Sequence, residues 1–204
     1  MAPESKPSGK SRRKFLKDIG TGVIGTYVIT PNVKIRGESI KKEYTDALEG
    51  KIELSVEVNG KRIKRKIKTS ITLAEFLRED LGLTGTKLVC NHGECGSCTV
   101  LLNDKPVYSC HMLALDADKK RVLTIEGLLS GEKLNQIQQS FIDNDGLQCG
   151  FCTPGQIMSA YAIIKNNTNP TDEDILKGMS GNLCRCGAYP KIIDSVKEAV
   201  KINN

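Results

Sequence analysis

The stretch LVCNHGECGSCTVLLN, residues Leu88 to Asn103, places three cysteines within nine positions, at Cys90, Cys95 and Cys98. Two glycines lie between these cysteines, and large side chains are few. A disulfide, a zinc ion and an iron–sulfur cluster could each use a supple, thiol-rich loop of this kind. The rest of the chain has to decide which of the three kinds of site is present.

The cysteine count narrows the choice. The chain has 204 residues and eight cysteines, and a stretch of 38 residues without cysteine divides the eight into two groups of four. An even number suits a secreted disulfide framework, but disulfides need no such division, whereas two metal centres with four thiolates each would produce it. The first group is Cys90, Cys95, Cys98 and Cys110, and the second is Cys149, Cys152, Cys184 and Cys186.

Composition sets the broad class of protein. Hydrophobic residues make up 39% of the chain and tryptophan is absent, which predicts an aliphatic core. The net charge of +6 and the run KRIKRKIK would permit nucleic-acid binding. No aromatic platform accompanies the run, so we interpret it as a solvated strand face and expect no nucleic-acid partner. No apolar run approaches the roughly 18 residues of a spanning helix, so no membrane span is expected.

The N-terminus has the layout of an export signal. The segment SRRKFLK carries Arg12 and Arg13 and precedes a weakly apolar stretch, which is typical of the twin-arginine route. That route carries folded proteins, so it favours a metal cofactor inserted in the cytoplasm over disulfides. We expect a periplasmic protein and assign residues 1–48 to the signal and linker, with no clear cleavage site.

Residues 49–128 are expected to form the first domain. The segment KIELSVEVNGKRIKRKIK predicts a hairpin, because apolar residues alternate and Asn59-Gly60 suits a type I′ turn. That turn pairs Glu57 with Arg62 on one face and Val56 with Ile63 on the other. The register also pairs Ser55 with Lys64 and Glu53 with Lys66 on the charged face, and it pairs Ile52 with Ile67 on the apolar face that is expected to be buried.

Further short elements complete this domain. Thr72 can cap a short helix that turns Leu73, Phe76 and Leu77 inward. Two short strands are expected about Asn103-Asp104, and the segment RVLTIEG gives another strand. The order of hairpin, helix, loop and strands predicts a β-grasp α+β domain.

The spacing Cys-x4-Cys-x2-Cys with a distant fourth cysteine is that of a plant-type [2Fe–2S] site. We expect Cys110 to reach the loop from a strand end. The glycines between the cysteines would let backbone N–H groups approach the sulfurs. Since Cys98 stands where a Rieske site would need its second histidine, His92 and His111 are expected at the surface and not as ligands.

Residues 129–204 are predicted to form a four-helix bundle. Inward-facing residues are expected to be Leu134, Ile137, Phe141 and Ile142; Ile157, Met158, Tyr161 and Ile164 after a Thr153 N-cap with Pro154 at N1; and Ile192, Ile193, Val196 and Val200, with Thr171 capping the third helix. The four cysteines of the second group lie in loops before helices. Zinc or an iron–sulfur cluster would suit them equally by themselves, and the plant-type site in the same chain favours a second cluster.

Three motifs carry a family resemblance. The segments CNHGECGSCTVLL, LQCGFCTPG and GNLCRCGAYPKI resemble the iron–sulfur subunit of the molybdenum hydroxylase, or xanthine oxidase, family. The pattern is most similar to the separate small subunits of periplasmic bacterial aldehyde oxidoreductases. The resemblance covers nearly all of residues 51–204. It implies an N-terminal β-grasp [2Fe–2S] ferredoxin-like domain followed by an all-α four-helix-bundle [2Fe–2S] domain.

The resemblance also implies partners. All eight cysteines would ligate two [2Fe–2S] clusters, and Gln148 and Cys186 would contact the molybdopterin of a separate large subunit. The chain is too short for a molybdenum or flavin domain. Its expected role is therefore to relay electrons from molybdopterin through the second and then the first cluster to an acceptor, either an FAD subunit or a cytochrome c. The alternatives are the small subunit of an N-heterocycle or xanthine dehydrogenase-like hydroxylase, a free-standing ferredoxin, and a disulfide-stapled binding module.

Overall fold

Two antiparallel strands open the described part of the chain, β1 (Lys51–Val58) and β2 (Lys61–Lys68). The computed structural model describes residues 50–129, 131 and 133–203, so the predicted export signal lies outside the described residues. The predicted register is confirmed, including Glu57 opposite Arg62 and Val56 opposite Ile63. Asn59 and Gly60 have φ values of 50° and 78°, as a type I′ turn requires.

One part of the hairpin prediction is wrong. Ile52 lies opposite Ile67 as expected, but 46% of Ile52 is exposed whereas Ile67 is buried. Burial along β1 begins at Leu54, because the core packs only against the later part of the strand.

Three further strands follow, β3 (Thr99–Leu102), β4 (Lys105–Tyr108) and β5 (Arg121–Leu123). Within the described part of the chain, the five strands form one sheet in the order β2-β1-β5-β3-β4. Strand β1 pairs in parallel with β5, while β3 pairs antiparallel with both β4 and β5. The β3–β4 turn at Asn103 and Asp104 has both φ values positive, at 47° and 68°. This turn therefore has the same handedness as the turn of the first hairpin, and it sends β4 back toward the cysteine-rich loop that precedes β3.

A short helix covers one face of the sheet. Helix α1 (Leu73–Glu75) continues into a π turn at Phe76–Asp80. Thr72 caps it as predicted, since the Glu75 N–H donates to Thr72 Oγ1 at 3.2 Å and the Thr72 N–H donates to Glu75 Oε2 at 2.9 Å. The predicted inward residues are confirmed, with Leu73, Phe76 and Leu77 fully buried.

Four helices follow in the second half. They are α2 (Gln136–Asp143), α3 (Thr153–Asn166), α4 (Asp172–Met179) and α5 (Tyr189–Asn203). The predicted inward residues of α3 and α5 are confirmed, as are the Thr171 cap and the burial of Ile137 and Phe141.

Two details of the helix predictions are wrong. Leu134 and Ile142 are exposed, because α2 begins only after the Asn135 cap and its buried face is set by Ile137 and Phe141, four residues apart. The N-cap of α3 is Cys152, so Thr153 already belongs to the helix.

Strand β3 packs against the helices of the second half as well as against the core beneath α1. Leu101 of β3 is buried in the apolar cluster of the helices, whereas its neighbours Val100 and Leu102 are buried in the cluster beneath α1. Alternate residues of β3 thus face two cores, as the pleat of a strand dictates. Along the described residues, no helix has the length and apolar character needed to cross a membrane.

Candidate metal centres

The first thiol group lies on the loop before β3 and on the turn after β4. Cys95, Cys98 and Cys110 are buried and Cys90 is half-buried. Cys98 immediately precedes β3, and Cys110 belongs to the 3-10 turn Ser109–His111, which directly follows β4. The antiparallel pairing of β3 with β4 therefore brings the distant fourth cysteine to the loop, as predicted from the sequence.

The four thiols of this group associate in pairs. The Cys95 side chain shifts the pKa of Cys90, and the Cys98 side chain shifts the pKa of Cys110, so the two thiols of each pair lie close together. Main-chain donors also reach the sulfurs: the His92 N–H donates to Cys90 Sγ at 3.4 Å, and the Cys110 N–H donates to Cys98 Sγ at 3.5 Å. The loop thus directs N–H groups at sulfur, an arrangement that favours thiolate.

The pKa values of the paired thiols differ strongly. The hydrogen bond from the His92 N–H lowers the pKa of Cys90 to about 6. Burial raises the pKa of Cys110 to about 12, with the Cys98 side chain adding to the rise. A cationic iron centre would favour the ionised form of both, because metal ligation deprotonates a coordinating thiol.

Two glycines of this loop stand where a residue with a side chain would be strained. Gly93 and Gly96 have φ values of 76° and 70°, in the left-handed region. A Cβ on Gly96 would lie 2.5 Å from the carbonyl oxygen of Gly181. The absence of a side chain at Gly96 therefore permits the left-handed turn, and it also lets the loop before α5 approach closely.

The second thiol group lies on two loops that precede helices. Cys149 and Cys152 come directly before α3, while Cys184 and Cys186 come before α5. The side chains again associate in pairs, with Cys149 beside Cys186 and Cys152 beside Cys184. Each pair joins one loop to the other, so the two loops are held together at one end of the helices.

The four cysteines of the second group differ in solvent exposure. Cys184 is buried and Cys152 half-buried, whereas Cys149 and Cys186 are exposed. Burial raises the pKa of Cys152 to about 11, and the Cys184 side chain adds to this rise. A hydrogen bond from the Phe151 N–H lowers the pKa of Cys149. One edge of the site therefore reaches the protein surface.

The donor chemistry fits a binuclear centre. All eight cysteines are free. Among the described residues, no three His, Cys, Asp or Glu side chains converge on one point that would hold a single ion. The thiols within each group lie close enough to shift one another's pKa values, and four thiolates are the ligand set of a [2Fe–2S] cluster.

Hydrogen bonds join the two thiol loops directly. The Leu183 N–H donates to the Cys95 carbonyl oxygen at 2.9 Å. The Asn182 Nδ2 group donates to the Gly96 carbonyl oxygen at 3.1 Å, and Tyr108 Oη donates to the Gly181 carbonyl oxygen at 2.8 Å. Residues 181–183, which lead into Cys184, are thereby fixed to the first thiol loop and, through Tyr108, to the end of β4.

A cavity of 530 Å³ opens between the groups. Its lining includes Cys95 of the first group and three cysteines of the second, Cys149, Cys152 and Cys184. The thiols of the two groups thus border one shared space.

Large apolar side chains surround the exposed edge of the second group. They are 41% to 55% exposed: Val89, Leu147, Phe151, Leu183 and Tyr189. Gln148, singled out from the sequence, is exposed between Leu147 and Cys149, and Cys186 is exposed as well. The two exposed cysteines of the second group therefore lie on a partly apolar stretch of the surface.

Three polar residues near the thiols were missed by the sequence analysis. Gln156 and Asn182 are buried at 1% and 3% exposure, and Tyr189 accepts a 2.9 Å hydrogen bond from the Cys184 N–H. A signal for Gln156 was available, because an amide stands one turn after Cys152 on the buried side of a helix. Asn182 and Tyr189 depend on contacts between distant loops.

Two sequence families match the chain. A family of 2Fe-2S iron-sulfur cluster binding domains matches residues 56–124, and a family of [2Fe-2S] binding domains matches residues 124–197. The fold and the paired thiols thus define an iron–sulfur protein with two [2Fe–2S]-binding domains.

Curated relatives extend over most of the described chain. The small FeS subunit of nicotinate dehydrogenase from Eubacterium barkeri is 44% identical over 151 residues, which are 74% of this chain and 96% of that subunit. The aldehyde oxidoreductase iron-sulfur-binding subunit PaoA from Escherichia coli (strain K12) is 41% identical over 161 residues, covering 72% of this chain and 70% of that subunit.

A solved structure has a similar fold. A chain of quinoline 2-oxidoreductase from Pseudomonas putida 86 superposes with a TM-score of 0.72 at 42% identity, covering 76% of this chain and 96% of that one. This chain therefore belongs to the family of small iron–sulfur subunits of aldehyde oxidoreductases and related molybdenum hydroxylases. It is an electron-transfer subunit of an oxidoreductase, as the resemblance implied.

Proposed function

We propose that Cys90, Cys95, Cys98 and Cys110 ligate one [2Fe–2S] cluster, and that Cys149, Cys152, Cys184 and Cys186 ligate another. Each bound cluster would supply a site that accepts and releases one electron. The chain's own part is to hold four thiolates in two pairs, to direct N–H groups at their sulfurs, and to exclude water from the buried members. The convergence of four free cysteines in each group carries this proposal, together with the two [2Fe-2S]-binding family matches.

The finer description of the domains follows from this assignment. We interpret residues 49–128 as a β-grasp ferredoxin-like domain and residues 129–204 as a four-helix-bundle domain. The parallel β1–β5 pair and the four helices α2 to α5 support this interpretation.

The surface around the second group supports a docking site for a large molybdopterin-binding subunit. Cys149 and Cys186 are exposed there, amid the apolar side chains described above, and Gln148 stands beside them. In this proposal Gln148 and Cys186 contact the molybdopterin of that subunit. The first group has three buried cysteines and passes electrons onward to an FAD subunit or a cytochrome c.

Substrate oxidation would take place in the partner. The relatives' names include nicotinate dehydrogenase, quinoline 2-oxidoreductase and aldehyde oxidoreductase. Since the substrate pocket would belong to the large subunit, the same two centres would serve an aldehyde or an N-heterocycle. We further propose a periplasmic location reached by the twin-arginine route, based on Arg12 and Arg13.

The order of the two centres can be tested with the assembled complex. Cys95→Ser replaces a soft thiolate with a harder, less acidic hydroxyl, so the first cluster should be lost or altered. Substrate should still reduce the second centre, seen by low-temperature EPR after rapid mixing, while turnover with an outside acceptor stops.

The matched control is Cys184→Ser, which alters the second group. In that variant substrate should reduce neither the second nor the first centre. Undiminished turnover of Cys95→Ser, with the first centre shown to be absent, would mean that electrons leave by another route and that the order is wrong.

A further inference from the structure

Asn182 is a buried polar residue between the two thiol groups. It lies in the loop that joins α4 to Cys184, and only 3% of its surface is exposed. Its main-chain N–H donates to the Met179 carbonyl oxygen at 3.0 Å, which fixes the backbone against the end of α4. A buried amide side chain needs partners for both its oxygen and its nitrogen.

The two ends of the Asn182 side chain bind two different segments. Its Nδ2 group donates to the Gly96 carbonyl oxygen of the first thiol loop at 3.1 Å. Its Oδ1 atom accepts a 2.7 Å hydrogen bond from Ser159 Oγ in α3. Because a carbonyl oxygen can only accept a hydrogen bond, the amide nitrogen must face Gly96 and the amide oxygen must face Ser159.

Further hydrogen bonds hold these partners in place. The Gly96 carbonyl oxygen also accepts from Thr99 Oγ1 at 2.6 Å, which fixes it within its own loop. The Gln156 Nε2 group of α3 donates to the Asn182 carbonyl oxygen at 3.3 Å, so the helix binds both the backbone and the side chain of Asn182. Thr99, Gln156 and Ser159 are all buried, so water does not readily replace these bonds.

The bonds of the residues on either side of Asn182 join fewer segments. The Leu183 N–H donates to the first thiol loop, and the Gly181 carbonyl oxygen accepts from Tyr108. Both of these bonds lead to the first domain. The Asn182 side chain joins the first thiol loop to α3 as well, and its backbone continues two residues later into Cys184.

The relative position of these segments matters for electron transfer. Electrons pass between separate redox centres by tunnelling, and the rate falls steeply as the separation grows. Thiols of both groups border one cavity, so the separation of the two centres depends on how the two thiol loops lie against each other. A residue that binds both loops and α3 keeps that separation constant.

We propose that Asn182 is a positioning residue that fixes the distance between the two centres through its hydrogen bonds to Gly96 and Ser159. This inference rests on the proposed ligation of a [2Fe–2S] cluster by each thiol group. Its consequence is that electron transfer between the centres depends on an amide that is not itself a proposed ligand.

The test measures the magnetic interaction between the two reduced centres. The full chain is reduced with dithionite, and the splitting of its low-temperature EPR signals reports the distance between the two paramagnetic centres. Asn182→Leu keeps the approximate size of the side chain and removes both of its hydrogen bonds. The splitting should become narrower because the loops move apart, while each centre keeps its own g values.

Ser159→Ala is the second variant, and it removes one of the two side-chain hydrogen bonds of Asn182. It should narrow the splitting in the same direction but by less than Asn182→Leu does. In the double variant Ser159→Ala should add nothing, because the bond that it removes is already absent.

Ser140→Ala is the matched control. Ser140 Oγ donates a buried 2.6 Å hydrogen bond to the Ser195 carbonyl oxygen, between α2 and α5, so its loss weakens helix packing without loosening a thiol loop. The splitting should keep its wild-type value. An unchanged splitting in Asn182→Leu, or an equal change in Ser140→Ala, would overturn the proposal. Loss of either centre's signal in both Asn182→Leu and Ser159→Ala would assign the bonds a purely structural role and would overturn it too.

These outcomes are distinct from a failure of the proposed function. That failure would appear in the unaltered chain as fewer than about four irons per chain or as a single EPR-active centre. Two centres without any splitting in the unaltered chain would overturn the positioning role alone, because the centres would then lie too far apart to interact.

Discussion

The main-chain N–H of Leu183 donates a 2.9 Å hydrogen bond to the carbonyl oxygen of Cys95. Leu183 directly precedes Cys184, so one hydrogen bond links a cysteine of the second group to a cysteine of the first. The rest of the path from Cys95 to Cys184 consists of covalent bonds within these two residues and Leu183. The side chain of Leu183 points outward and is 53% exposed, so the residue contributes its backbone to this link and its side chain to the outer surface.

Leu183→Pro should weaken the link, because proline lacks an N–H. The buried Cys95 carbonyl would lose its donor, at a cost of about 1–3 kcal/mol in stability. We expect slower reduction of the first centre after the second, measured by rapid-freeze EPR on the assembled complex. Leu183→Ala keeps the N–H and is the control. Equal rates in the two variants, with both centres present, would show that this bond does not carry the transfer.

Gly155→Ala should disturb the contact between α3 and the first thiol loop. A Cβ at this position would lie 2.2 Å from the Gly96 carbonyl oxygen and 2.9 Å from the Ser97 Cα. Both neighbours are backbone atoms, so they cannot move aside cheaply. Overpacking of this kind typically costs about 1–3 kcal/mol, and the temperature at which the visible cluster absorption is lost should fall.

The control for that experiment is Gly178→Ala in α4. Its added Cβ would meet only the side chain of Ile163, 2.5 Å away, which can change rotamer. Alanine also favours a helix interior over glycine by about 1 kcal/mol. If Gly155→Ala were as stable as Gly178→Ala, the close approach of helix and loop would not matter for stability.

The local elements could be predicted because their signals are local. The Asn59-Gly60 turn fixes the hairpin register by itself, and Thr72 with Glu75 forms a capping box within four residues. The grouping of the cysteines likewise predicts two separate thiol sites without any knowledge of the fold.

The joining contacts could not be predicted, because they connect residues far apart in the chain. Asn182 bonds to Gly96 across 86 positions, and Tyr108 bonds to Gly181 across 73. No periodicity or spacing encodes such a pair. The misplaced Leu134 and Ile142 have a different cause: α2 is only eight residues long, so a shift in its start changes which residues face inward.

The proposed export signal leads to a prediction that is independent of the fold. The double substitution Arg12→Lys and Arg13→Lys should block export, because the twin-arginine route requires the arginine pair. The full chain should then accumulate in the cytoplasm with its iron content unchanged, as measured by cell fractionation and iron analysis. Replacing Lys14 and Lys17 with arginine is the control, and export should continue. Normal periplasmic amounts of the Arg12/Arg13 variant would refute the signal assignment.

The thiol pKa values predict how the iron-free chain reacts with iodoacetamide. Only the thiolate reacts, and a lowered pKa means that the thiolate forms at lower pH. The hydrogen bond from His92 lowers the pKa of Cys90 to about 6, so its labelling should rise as the pH passes that value. Burial raises the pKa of Cys110 to about 12 and that of Cys152 to about 11, so both should stay unlabelled at neutral pH.

Peptide mass spectrometry after short pulses of reagent would follow each cysteine separately. The urea-unfolded chain is the control, because there the thiols should label together near an ordinary pKa of about 8.5. Folding should therefore lower the pH at which Cys90 is labelled, and it should raise the pH at which Cys110 and Cys152 are labelled, relative to the unfolded chain. Equal labelling of Cys90 and Cys110 in the folded, iron-free chain would show that the loop does not hold its N–H groups against sulfur before the cluster binds.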